Sequence, residues 1–250
     1  MQLYEFYGLA RSGHHAVINW CVKNLSSAEL PMVNKFQVIE SGGIYYINEG
    51  NYDLGLTKNF LIENWSKIKY LIVGYENCDP TFSFFSPKHE YKAPLDFQFE
   101  NLEPPTTRKR IILTRNFYDN LASRIKKNQG GIVNNIGENI IFPVDYQFVQ
   151  QYKLYLNDII EQKCYYLKFE DWLHNKSIRQ KFLLEVFGIH ELYSNESVRG
   201  TVSSFSESDR ENLENRINQV VVSESIKNLV NSDEELKTLL EKVGYKIITL

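Results

Sequence analysis

The sequence is poor in cysteine, has no long apolar run, and carries no excess of charge of either sign. Its three cysteines, Cys21, Cys78 and Cys164, lie far apart and form no C-x-x-C pair. That spacing argues against a disulfide framework or a zinc knuckle and fits a reducing compartment. No apolar stretch approaches the ~20 residues that cross a bilayer, and no charged-then-apolar leader opens the chain. A soluble, cytoplasmic protein without a membrane partner is therefore expected. The formal net charge of -3 gives no general attraction for nucleic acid, so any anion site has to be local. No repeat or low-complexity tract divides the chain. Its 250 residues, 43% of them hydrophobic, are enough for one full core, and a single domain over 1–250 is expected.

The first twenty residues organise the rest. Leu3–Tyr7 is short, aromatic and apolar, as a buried strand would be. Gly8–Gly13 is a tight turn of small residues. From His14 a helix is expected, with Val17, Ile18, Cys21, Val22 and Leu25 on its apolar face. Strand, glycine-bounded turn and helix together make an anion cradle, because the first amides of a helix have no partner within it and the dipole adds positive charge there. Gly8 and Gly13 match the two glycines of G-x-x-x-x-G-K-[ST]. The next positions are His14 and His15 instead of Lys and Ser/Thr, so the grips for a magnesium triphosphate are missing. The positive charge sits at Arg11, inside the turn. The loop suits a phosphate but not Mg·ATP.

Further strands are expected at Ile44–Ile47, Lys69–Gly74, Arg108–Thr114 and Cys164–Phe169. Helices are expected at Phe60–Lys67, Tyr118–Lys127, Tyr146–Gln162 and Ile178–Phe187, the last stopped by Gly188 in the αL conformation. Asn116 or Asp119 can cap the helix after the third main strand. Two polar helices, Glu207–Val220 and Asp233–Lys242, close the chain. Strands alternate with helices and several are apolar on both faces. This predicts an α/β protein of three layers, α/β/α, with a central parallel sheet and a P-loop-like strand–loop–helix at the N-terminus. Ligands of such sheets bind beyond the carboxyl ends of the strands. The Arg11 turn, Glu76, and Arg115 with Asn116 are all predicted to lie there.

Four stretches together resemble the sulfotransferases that use 3′-phosphoadenosine 5′-phosphosulfate (PAPS). The first is A-R-S-G-H-H at Ala10–His15, similar to the family's 5′-phosphosulfate loop, [KR]-S-G-[TS]-[TS]. The second is I-I-L-T-R-N-F-Y-D-N-L-A-S at Ile111–Ser123, similar to a strand followed by R-N-P-x-D-x-x-x-S. Arg115 and Ser123 keep that spacing, although Phe117 replaces the usual Pro. The third is Y-L-K-F-E-D-W at Tyr166–Trp172, and the fourth is the helix ending at Phe187-Gly188. The resemblance spans about Leu3–Gly188. The family's late R-K-G-x-x-G-D-W segment is not present as such, and V-R-G-T-V-S-S-F at Val198–Phe205 is the nearest stretch.

The resemblance implies PAPS as cofactor, adenosine 3′,5′-bisphosphate as product, and no metal. Arg11, Ser12, Gly13, His14 and His15 would hold the 5′-phosphosulfate. Arg115 and Ser123 would hold the 3′-phosphate, with Arg199 and Gly200 completing the site. The acceptor, a hydroxyl or amine on a small molecule, saccharide or peptide, must lose a proton. Glu76 stands where relatives carry a base, with Asp79, His14 or His15 as alternatives. Glu170 and Asp171 look structural, and His89, His174 and His190 have no evident partner. Adjacent helical residues point about 100° apart, so His14 and His15 are not expected to share a metal. Two other readings compete: a P-loop nucleotide or metabolite kinase, and a non-catalytic nucleotide-binding descendant.

Overall fold

The structure, a computed structural model, describes residues 1–9, 11–26, 44–48, 59, 61–77, 105–129, 144–194 and 213–250. Asp79, His89, Cys78, Arg199, Gly200 and the aromatic stretch 81–99 lie outside the described residues.

Five strands form one all-parallel sheet: β1 (Gln2–Gly8), β2 (Ile44–Asn48), β3 (Tyr70–Glu76), β4 (Thr107–Thr114) and β5 (Tyr165–Lys168). The spatial order is β2-β3-β1-β4-β5. β1 is central because, apart from Glu5, both of its faces are apolar and can be covered on each side; every residue from Leu3 to Gly8 is buried. The chain fills one side of β1 with β2 and β3, then passes to the other side for β4 and β5. Crevices that bind ligands form at such reversals, at the carboxyl ends of the strands. The register puts Gly8 of β1 beside Glu76 of β3 and Leu113 of β4.

Alternation along the strands divides the core in two. Leu3, Tyr7, Leu71, Val73, Tyr75 and Ile112 face one side. There they meet α2 (Phe117–Gln129), α3 (Tyr146–Ile160) and the last helix of the chain. Tyr4, Phe6, Ile72, Ile111, Leu113 and Leu167 face the other side. They pack on α1 (His14–Ser26), α4 (Phe169–His174) and α5 (Lys176–Phe187). With helices on both faces, the strand edges at the sheet's ends are the places left for polar chemistry. α6 (Glu224–Asn231), capped by Ser223, and α7 (Glu234–Lys242), capped by Asp233, finish the chain. Among the described residues, no helix is long and apolar enough to cross a membrane.

The expected strands and most helices fall where the sequence places them, with three differences. Phe169 does not end β5 but begins α4. The described part of the 207–220 segment is a 3-10 helix, Leu213–Gln219. The short helix before β3 tightens into a 3-10 turn at Trp65–Lys67. Gly188 is left-handed at φ 71° and stops α5 as anticipated.

Candidate functional site

The carboxyl ends of β1, β3 and β4 bring the main sequence candidates into one place. β1 ends at Gly8, and the chain turns back on itself when the Ser12 amide donates to the Leu9 carbonyl at 2.9 Å. Neither glycine can be replaced freely. A Cβ on Gly8 would lie 2.9 Å from both the His14 Cβ and the Ser12 Oγ. Gly13 has φ 83°, and a Cβ there would lie 2.4 Å from the Phe169 ring. The Gly13 carbonyl accepts from the Ala16 and Val17 amides, at 3.1 and 3.3 Å, and so starts α1. The amides of His14 and His15 therefore open the helix, where the dipole favours an anion. Arg11 is itself left-handed at φ 71°, a conformation that costs a non-glycine residue about 1–3 kcal/mol. Strain of this kind persists where the surrounding structure imposes it.

Arg115 follows β4 and reaches across to the turn: its Nη1 donates to the Arg11 carbonyl at 3.0 Å. The guanidinium lies over the Phe169 ring, 5.2 Å from its centroid, and the residue is 6% exposed. Burial lowers the Arg115 pKa, and Asp119 and Glu170 act against that shift. Tyr152 of α3 donates its hydroxyl to the Arg115 carbonyl and holds the backbone in place. Asn116 caps α2, its side chain accepting from the Tyr118 and Asp119 amides at 3.0 and 3.3 Å. Glu170 in turn accepts from the Asn116 amide at 2.8 Å, the structural role expected of it. In the second turn of α2, the buried Ser123 Oγ accepts from the Arg11 Nε at 3.3 Å. Arg11 of the turn and the Arg115–Ser123 pair are thus one connected group.

Glu76, the last residue of β3, lies on the helix side of the turn. Its Oε1 is 3.8 Å from the His14 Nδ1 and 3.9 Å from the His15 Nε2. Burial, with His15 beside it, holds His14 well below the usual histidine range. His15 is lowered more mildly, mainly by burial, with Glu76 opposing and Arg11 reinforcing. Both rings are therefore neutral at physiological pH. The two ring centroids are only 4.0 Å apart. Although adjacent helical residues point about 100° apart, Glu76 approaches both rings from the neighbouring strand.

Sequence reading missed three members of the group. Arg124 is buried on α2; it donates to Asn120 at 3.0 Å and to the Asn77 side chain at 2.7 Å. Burial pulls its pKa down to about 10, and Glu76 is the strongest influence in the opposite direction. Asn77, left-handed at φ 58°, carries the chain out of β3 and receives that arginine. Phe169 seals the floor between Gly13 and Arg115. Among these, the left-handed asparagine after a strand was the one signal legible in sequence, since Asn tolerates that conformation.

Among the described residues, several buried polar atoms in the group have no hydrogen-bond partner: the Arg115 Nε, which has only the Asp119 carboxylate at 3.9 Å, the Arg115 Nη2, the Ser12 Oγ, the His14 Nε2 and the His15 Nδ1. Burying such groups without a hydrogen bond costs about 1–3 kcal/mol each, more when charged. Three arginines, two helix-start amides and these open donors suit a multiply charged oxyanion.

No protein-family model matches the chain, and no curated protein matches it significantly.

Proposed function

We propose that the chain is a PAPS-dependent sulfotransferase with a P-loop-like donor loop. The observation that carries this reading is the set of buried polar atoms on Arg115, Ser12, His14 and His15 around the Arg11 turn that have no hydrogen-bond partner among the described residues. Two arginines that hold separate motifs and touch each other through the Arg11 carbonyl suit a donor with a phosphate at each end. Ser12, Gly13, His14 and His15 would take the 5′-phosphosulfate, and Arg115 with Ser123 the 3′-phosphate. Arg199 and Gly200 remain proposed members of the 3′ site.

In the transfer, an acceptor hydroxyl or amine attacks sulfur in line. The bond from sulfur to the 5′-phosphate oxygen breaks, and adenosine 3′,5′-bisphosphate leaves. Arg11 would offset the charge that develops on the bridging and sulfuryl oxygens. His14 would donate a hydrogen bond where relatives carry a hydroxyl. The acceptor's proton would pass to Glu76, which is 29% exposed and so reachable from outside. No metal ion enters these steps. The test is a screen of hydroxylated and aminated acceptors with labelled PAPS in the absence of magnesium. Sulfated product supports the reading. Bisphosphate binding without transfer to any acceptor would point to the non-catalytic descendant, and magnesium-dependent ATP use to the kinase.

A further inference from the structure

The His14–His15–Glu76 group has a second chemical capacity that does not depend on the sulfotransferase reading. Each residue offers one ligand atom, and the three atoms lie within 4.8 Å of one another. The donor set is two imidazole nitrogens and one carboxylate oxygen. That set suits zinc and its neighbours in the first transition row, whereas magnesium prefers oxygen ligands. Zinc holds nitrogen and oxygen ligands at about 2.0–2.2 Å, so the nitrogen–oxygen separations of 3.8 and 3.9 Å fall inside the span that one ion can bridge. Rotation of the partly exposed His15 and Glu76 side chains would bring all three atoms onto one ion. His15 is 35% and Glu76 29% exposed, whereas His14 is 1% exposed and fixed. An ion would therefore enter from the Glu76 side and meet one rigid and two adjustable ligands.

We infer that His14, His15 and Glu76 form a divalent transition-metal site, with zinc as its fitting occupant and at least one coordination position open. Open three-ligand sites of this composition keep a place for water or another oxygen donor. Neutral imidazoles need give up no proton to bind a metal. Arg11 lies close enough to act on His15 and opposes the ion, while the Glu76 charge favours it. A bound ion would hold the carboxylate that the proposed transfer uses as a base, so zinc is expected to act as an inhibitor.

The test uses the full chain, stripped of metal, and zinc chloride alone as the probe. Calorimetry should give one ion per chain, and cobalt in its place should give visible bands typical of low coordination number. His15→Asn and Glu76→Gln should each weaken zinc binding by about tenfold or more, while His174→Asn, at an exposed histidine on α4, leaves it unchanged. If His14→Asn fails to fold, the two half-exposed positions still decide the matter, and circular dichroism without metal confirms their folding. No stoichiometric binding would overturn the proposal. So would binding that survives both His15→Asn and Glu76→Gln, because the ion would then sit elsewhere. The donor site shares His14 and His15 with this one, so it is read separately, through bisphosphate binding to the metal-free wild-type chain.

Discussion

The two ends of the sheet are equally basic and differ in what their charges do. At the amino end, β4 opens with Arg108, Lys109 and Arg110. Arg108 donates to the fully buried Glu5 at 2.6 Å, and Tyr75 donates to the other Glu5 oxygen at 3.0 Å. Arg110 pairs with Asp158 at 2.8 Å, and Lys109 donates to the Glu185 and Val186 carbonyls at 3.1 and 2.5 Å. A recess runs along this edge, lined by these three residues with Gln162 to Tyr165, but its cations are already paired within the chain. At the carboxyl end, Arg115 is more deeply buried, and two of its nitrogens have no hydrogen-bond partner among the described residues, the Nε lying 3.9 Å from the Asp119 carboxylate. A basic recess is therefore not enough to locate a site. Buried donors left open are the stronger sign, because folding alone gives no reason to keep them.

The largest effect that would sharpen this contrast is on turnover. Glu76→Gln keeps the shape of the side chain and removes its basicity. Turnover should fall roughly 10²–10⁴-fold, the range for a general base, with bisphosphate affinity nearly intact. Asp79→Asn is the control; loss of turnover there and not at Glu76 would move the base to Asp79.

A smaller effect separates the two ends by stability. Arg108→Met leaves the buried Glu5 carboxylate without its charged partner and should cost about 1.5–3 kcal/mol, the range for hydrogen bonds to charged groups. Arg115→Met takes the cation from beside the buried Asp119 and Glu170 carboxylates, and removing one partner of a buried pair is destabilising. Without ligand it too should melt below the wild type. Thermal melts of the two variants, with and without bisphosphate, check both statements. Bisphosphate should raise the melting temperature of the wild type and Arg108→Met but hardly that of Arg115→Met. An equal bisphosphate-induced rise in all three proteins would erase the distinction.

The smallest effect is on the pH dependence of stability. His14 and His15 have folded pKa values below the ordinary 6.5, so below that pH the unfolded chain binds more protons than the folded one. Their stabilising contribution is present above pH 6.5 and is lost as the pH falls towards the lowered folded values. Glu170 is raised from 4.5 by burial and has the opposite sign, its contribution being lost as the pH rises through its folded value. Comparing the wild type with His14→Asn cancels Glu170. The variant should show a shallower loss of melting temperature between pH 6.5 and 5.

The sheet was legible in the sequence because Leu71–Val73 of β3 and Ile111–Leu113 of β4 are continuous apolar runs and β1 is apolar apart from Glu5. The Gly8–Gly13 turn and the Asn116 cap were legible because left-handed or capping positions restrict residue type. Arg124 was not, because a lysine- and arginine-rich helix reads as a solvated face until packing buries one of its cations. Phe169 read as a strand residue because aromatic residues favour strands; its use as a floor under Gly13 depends on a turn that local preference does not encode. The approach of Glu76 to two adjacent histidines comes from register between β1 and β3, which no single segment contains.

The central claim is that the open donors at the carboxyl end form the site of a nucleoside bisphosphate. Its most direct test is calorimetry, without magnesium, of adenosine 3′,5′-bisphosphate and adenosine 5′-phosphate binding to the wild type and to Arg115→Ala. Loss of a charge-assisted bidentate pair should weaken bisphosphate binding by about 2–4 kcal/mol. Removing the 3′-phosphate should cost the wild type a similar amount and the variant almost nothing. Equal bisphosphate affinity in the wild type and Arg115→Ala would contradict the account.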